Sequence, residues 1–461
     1  MFLRPGRRDA FSILCAGLFG LAVLAGSADR AQAVPSFARQ TGLACEACHT
    51  VFPQLTPFGR VFKASGYTLS NTSKVQDVDR MKHYLMTLSD VPPISVMGVA
   101  STSSANKASD ANSSKTSTDF PQQLSIFYAG AIADNVGGFI QLTYDGQGGN
   151  FGIDNTDIRF ADVATLYNHS VIYGISLNNN PTVQDLWNST PAWGQPFLGS
   201  PTMAGPAAAA RIEGAMAQAV AGVSAYAFVD QSLYGEVGVY RSALQGASVS
   251  NIGASGTPPT DVITGVAPYW RFAYEYDWGQ HSLELGTFGL QAALHNPTTI
   301  AGESFAQSLQ LGPTDRFTDI GIDTQYQYID DDNQVTATAR AIRENQRLDA
   351  SFAQTLSDNP TNHIDTMNAT LSYFWRRKLG ATIGLFNVDG STDVTYFGSP
   401  NGKPNSSWGN VEVDYLPWLN VKLGLQYTAY TKFNGASNNY DGNGRNASDN
   451  NMIFGYVWFA Y

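Results

Sequence analysis

Residues 418–430 read WLNVKLGLQYTAY, and the two faces of this stretch decide the fold. Leu419, Val421, Leu423, Leu425 and Tyr427 share one side of an extended chain, and Asn420, Lys422, Gly424, Gln426 and Thr428 share the other. A period of two with one apolar and one polar face marks a β-strand that separates two environments. The pattern recurs at 266–277, where Val266, Trp270, Phe272, Tyr274 and Tyr276 oppose Arg271, Glu275 and Asp277. It recurs again at 319–328, where Ile320, Ile322, Tyr326 and Tyr328 oppose Asp319, Asp323, Gln325 and Gln327.

Sixteen such segments start near residues 94, 121, 136, 153, 169, 216, 232, 265, 279, 316, 333, 363, 379, 405, 418 and 451. Their connections alternate in length. DQ at 230–231, DDD at 330–332 and RRK at 376–378 are short; 178–215, 243–264, 295–315 and 431–449 are long and polar. Short turns alternating with long loops are what bacterial outer-membrane barrels show, with the short turns in the periplasm. A soluble sandwich or propeller also alternates, but one unbroken meander without an internal repeat favours a closed barrel. The expected fold is therefore all-β: an antiparallel transmembrane barrel of about sixteen strands over 94–461, ending in the aromatic strand FGYVWFAY.

Composition agrees. Aromatic residues make up 12%, charged residues only 14%, and Gly 44 of 461 positions. Arg4, Arg7 and Arg8, an apolar run from Phe11 to Gly26 and the small-x-small site Ala31-Gln32-Ala33 read as a secretory signal peptide over 1–33. The net charge is −11, and removal of four Arg and two Asp with that peptide takes it to −13. Such a chain attracts cations and has no basic patch for nucleic acid.

Between the leader and the first strand lies a segment, 34–93, that contains ACEACHTVFPQLTPFGRVFKASGY at 44–67. Cys45, Cys48 and His49 form Cys-x-x-Cys-His, the attachment motif of c-type haem. Two thiols add across the haem vinyl groups, and the adjacent imidazole ligates the iron. Zinc would want two more Cys or His ligands at suitable spacing. Phe52, Leu55, Phe58, Val61 and Phe62 recur at helical spacing behind the motif and are expected to cover the porphyrin edge. Arg39, Arg60 and Lys63 are candidates for the propionates. For the sixth iron ligand, strand parity puts Met97 inside the barrel near its periplasmic mouth; Met81, His83 and Met86, or no ligand, are the alternatives.

FARQTGLACEACHTVFPQLTPFGRVFKASGY resembles the N-terminus of fused outer-membrane monohaem cytochrome c–porins, the group that includes the iron-oxidising outer-membrane cytochromes. DNTDIRFADV at 154–163 and NNNPTVQDLWNSTPAW at 178–193 are also similar to that family, so the likeness reaches into the first third of the barrel. The resemblance implies one covalent haem c on Cys45, Cys48 and His49, at or inside the periplasmic mouth. It also implies an extracellular electron donor such as Fe(II) and a periplasmic cytochrome or other acceptor. A solute porin with a structural or regulatory haem plug is the alternative.

Parity further assigns Asp145, Asp157, Glu236, Glu275, Glu284, Asp319, Asp323, Glu412 and Asp414 to the barrel interior, with Arg159, Arg271 and Arg340. The 178–215 loop, with Trp187 and Trp193, is expected either to fold inward as a constriction or to cover the haem from outside.

Overall fold

A computed structural model describes residues 35–68, 92–108, 113–242, 262–295, 313–418 and 420–461. The signal peptide, the alternative ligands Met81, His83 and Met86, and most of the 243–264 and 295–315 loops lie outside these residues.

One antiparallel sheet closes on itself. Each strand pairs with its sequence neighbour, and the first, Ile94–Ala105, pairs with the last, Met452–Ala460, in the register Met97↔Ala460 to Ala105↔Met452. Of the seventeen strands among the described residues, the two-residue piece Val262–Ile263 only extends the edge facing His295. The wall therefore has sixteen strands, as the alternation predicts. Closure leaves no unpaired edge, which a backbone in lipid requires. The predicted starts hold to within a few residues; the last five long strands begin at Thr361, Leu379, Ser406, Val421 and Met452.

Parity explains the two surfaces. Leu285, Ile322, Met367, Leu385, Val413 and Leu425 point outward and stay 55–63% exposed. Toward the short-turn end, Tyr276, Trp278, Tyr373, Trp375, Tyr415 and Trp418 are also exposed on the outside. An apolar band with an aromatic girdle is the lipid-facing pattern of outer-membrane barrels. Inside, Asp157, Arg159, Glu236, Arg271, Glu275, Glu284, Asp319, Asp323, Glu412 and Asp414 are all buried, and Arg340 is half-buried. Asp145 is the correction. It shares the inward parity, but it stands at the tip of the Asp145–Asn150 hairpin, exposed, and accepts bonds from Gln147 N and Gly148 N at 3.0 and 3.1 Å. Parity fails there because the residue lies beyond the rim of the wall.

Two bodies fill the lumen. The first is the N-terminal segment, with α1 (Pro35–Thr41), α2 (Cys45–Cys48) and α3 (Pro57–Ala64). The second is the 179–219 connection, which folds inward; Val183, Gln184, Asp185, Leu186 and Trp187 are fully buried. Of the two expectations for this loop, constriction is what the fold realises.

Candidate functional site

The Cys-x-x-Cys-His turn is held from below by α3. Thr56 caps that helix, its hydroxyl accepting from Gly59 N at 3.1 Å and donating to Ala47 O at 2.6 Å. Pro57 occupies the first turn, where its missing N–H costs nothing. The helix starts at Pro57 because Thr56 supplies the cap. Thr56 N also bonds Cys48 O at 2.9 Å. Gly59 permits this approach: a Cβ there would stand 2.2 Å from Cys48 O.

These bonds bring Cys45, Cys48 and His49 to one cleft of about 90 Å3, walled by Phe37, Phe52, Leu55, Phe62 and Phe139. Neither cysteine is in a disulfide. Burial and the neighbouring Cys45 push the Cys48 thiol up to about 11. Burial, with the charge of Lys63 adding to it, brings His49 down to about 4, so its imidazole is neutral. His49 Nδ1 lies 3.3 Å from Gln54 O. A donor at Nδ1 facing a backbone carbonyl leaves Nε2 with its lone pair available, the usual arrangement for a metal-ligating histidine. The residues present therefore suit a c-type haem: two thiols, a neutral imidazole of set tautomer, and apolar walls.

Three of the five predicted cover residues, Phe52, Leu55 and Phe62, line the cleft. Phe58 is exposed, and Val61 packs instead against the buried cluster that includes Trp187 and Tyr226. Met97 points inward and is buried, as parity requires, but it lines an adjoining cavity of about 270 Å3. Phe52 and Pro53 border both spaces, and the Phe52 ring stacks on Trp458 at 5.5 Å.

The proposed propionate partners are corrected by their surroundings. Arg60 is fully buried and turned to the barrel wall, with Nη2 2.5 Å from Glu275 Oε1 and Nη1 2.8 Å from Gln327 Oε1. Arg39 donates to Ile94 O at 2.5 Å. Lys63 edges the cleft, but its Nζ donates to Val183 O and Asp185 O at 2.9 and 2.5 Å and to Asn188 Oδ1 at 3.3 Å. Burial, together with the charge of Arg159, lowers Lys63 to about 7. These cations fasten the segment to wall and loop.

Further fastenings escape sequence reasoning. Tyr67 donates to Asp157 Oδ2 at 2.7 Å, and Arg159 holds the same carboxylate at 2.7 Å while reaching Lys63 O at 3.3 Å. Asn188 donates to Pro53 O at 2.8 Å, and the Trp187 indole to Glu275 Oε2 at 2.7 Å. Arg271 binds Asp185 of the loop at 3.1 Å and Glu284 and Asp323 of the wall at 3.1 and 2.8 Å. At the short-turn rim, Glu46 pairs with Arg377 at 2.8 Å. The Cys-x-x-Cys turn therefore lies at that end of the barrel. Among the described residues, no group of three or more His, Cys, Asp or Glu side chains is arranged to hold a metal ion.

The fold and lumen together define a porin-like outer-membrane barrel closed by an internal plug. No family model and no curated protein matches the chain. Solved structures similar to it include OmpF of Salmonella typhi in complex with daunomycin (13% identity, 80% of this chain and 97% of that one, TM-score 0.45). An anion-selective porin from Comamonas acidovorans aligns at 12% identity over 80% and 99%, with TM-score 0.45. OmpT of Vibrio cholerae aligns at 11% over 82% and 100%, with TM-score 0.42. Each likeness is slight.

Proposed function

We propose that this plugged barrel is an outer-membrane electron-transfer protein. It carries one haem c on Cys45, Cys48 and His49, takes electrons from an extracellular donor such as Fe(II), and delivers them to a periplasmic cytochrome. The supporting observation is the convergence of both thiols and the neutral imidazole on one apolar cleft. When bound, the haem iron supplies one-electron redox chemistry. Cys45 and Cys48 would tether it, His49 Nε2 would ligate it, and Phe37, Phe52 and Phe62 would keep water away. Met97 is the proposed sixth ligand. It is inward and buried, and Phe52, Pro53, Phe139 and Trp193 border both its cavity and the cleft. Met97→Ala should then lower the reduction potential and convert the haem spectrum to high spin; an unchanged spectrum removes Met97 from the site.

A second reading, a solute porin with a structural haem plug, draws support from the 270 Å3 cavity. Its lining runs from Leu416 and Lys422 at the short-turn end to Asp154 and Asn155 near the opposite rim. The filled lumen favours the first reading. Protein in sealed liposomes separates them. Electron transfer requires haem reduction by externally added Fe(II) with little small-solute flux. Solute flux without reduction requires the porin reading.

A further inference from the structure

On the outer face of the wall, above the apolar band, two arginines stand opposite each other. Arg316, on the strand Asp315–Ile329, is the cross-strand partner of Arg347, on Asn333–Arg347. Both point outward and are exposed. Directly opposed like charges destabilise a sheet pair, so the arrangement calls for an anion. Arg347 has one, Asp349, at 2.8 Å, with both side chains more than half exposed. Arg316 has no carboxylate or carbonyl partner among the described residues. Arg343 lies two outward positions further down the same strand, paired with Asp365 at 3.1 Å and facing Ile320. Three arginines against two carboxylates make a net positive patch on a protein whose overall charge is −11.

The patch has a defined height. Below it on the same outward rows come Ile320 and Ile322, 52% and 62% exposed, and then Tyr326 and Tyr328 near the short turn. Eight residues from Tyr328 to Ile320 span roughly 26 Å along a strand, and less along the tilted barrel axis, which matches an apolar band of about 25 Å. Arg343 therefore sits at the upper margin of the band, and Arg316 and Arg347 a few residues above it, on the side of the long loops. That is the headgroup layer of the outer leaflet. Planar guanidinium groups bind phosphate through paired N–H donors.

We infer that Arg316 and Arg347, with Arg343 beneath them, form a binding site on the lipid-facing surface for the phosphate headgroup of an outer-leaflet lipid. The test uses the full-length protein in neutral detergent, titrated with diphosphorylated lipid A, dephosphorylated lipid A and inorganic phosphate, with bound lipid counted by native mass spectrometry. The expected result is saturable binding of the phosphorylated lipid that salt weakens, and roughly tenfold weaker binding in Arg316→Gln/Arg347→Gln. Arg316→Lys/Arg347→Lys should retain part of it. Arg376→Gln, at the short-turn end, should bind like the parent. Heat-modifiable gel migration verifies that each variant is folded. Equal binding in the double glutamine variant, or equal binding of the dephosphorylated lipid, overturns the site. Competition by inorganic phosphate at the same concentration as lipid overturns the lipid as its occupant.

Discussion

At the scale of single residues, the cleft depends on a contact with no side chain on one partner. A methyl at Gly59 would meet Cys48 O at 2.2 Å, and that carbonyl is held by Thr56 N. Backbone cannot yield as a flexible side chain does, so Gly59→Ala should displace the Cys-x-x-Cys turn from α3. The measurement is haem content per barrel: a several-fold fall is expected while gel migration of the folded barrel is unchanged. Cys45→Ala/Cys48→Ala should abolish the covalent haem stain on a denaturing gel, and stain surviving in that variant would contradict thioether attachment. That Cys45, Cys48 and His49 would meet in one cleft was legible because they are contiguous in the chain. Lys63 was not: its carbonyl partners lie 120 and 122 residues away, and nothing in VFKAS distinguishes an ammonium bound for a buried loop from one bound for solvent or for a propionate.

At the scale of elements, the strands were legible and the lumen was read only in part. Alternation reports which face of a strand is apolar, and lipid outside a polar lumen makes that signal strong at Leu425 or Ile322. It says nothing about what meets the polar face. Glu275 was assigned inward correctly, yet its partners, Arg60 of the plug and Trp187 of the inner loop, come from elements without strand period. The Arg60–Glu275 pair is 1% and 3% exposed at its side chains. Removing one partner of such a pair leaves a buried uncompensated charge, at a cost of about 3–5 kcal/mol. Arg60→Ala should therefore loosen the plug, seen as faster amide exchange over 57–67 and a rise in bilayer conductance. Arg60→Ala/Glu275→Ala should recover part of the loss, because coupled residues are not additive. Equal effects in the single and double variants would mean that the pair does not fasten the plug.

At the scale of the whole molecule, wall and plug are separable in one sense and interlocked in another. The ladder from Ile94 round to Ala460 closes without any strand from residues 35–68. Deleting that segment should leave a folded, heat-modifiable barrel whose conductance rises several-fold, since a wall of this strand number encloses an aqueous channel and the 179–219 connection still narrows it. The interlocking follows from the sequence distances of the internal bonds: Arg60 to Glu275, Leu55 to Gln327, Tyr67 to Asp157, and Glu46 to Arg377 at the rim. A segment fastened on the inside at so many points around the circumference has to be in place before the first and last strands meet. The biogenesis of this protein is then an ordering problem. On the proposed reading, the haem would be attached to the exported chain while it is still open, and the insertion machinery would receive a segment already bearing its cargo. A cell deprived of haem-attachment enzymes should accumulate this chain in the periplasm, unassembled, ahead of any defect in other barrels.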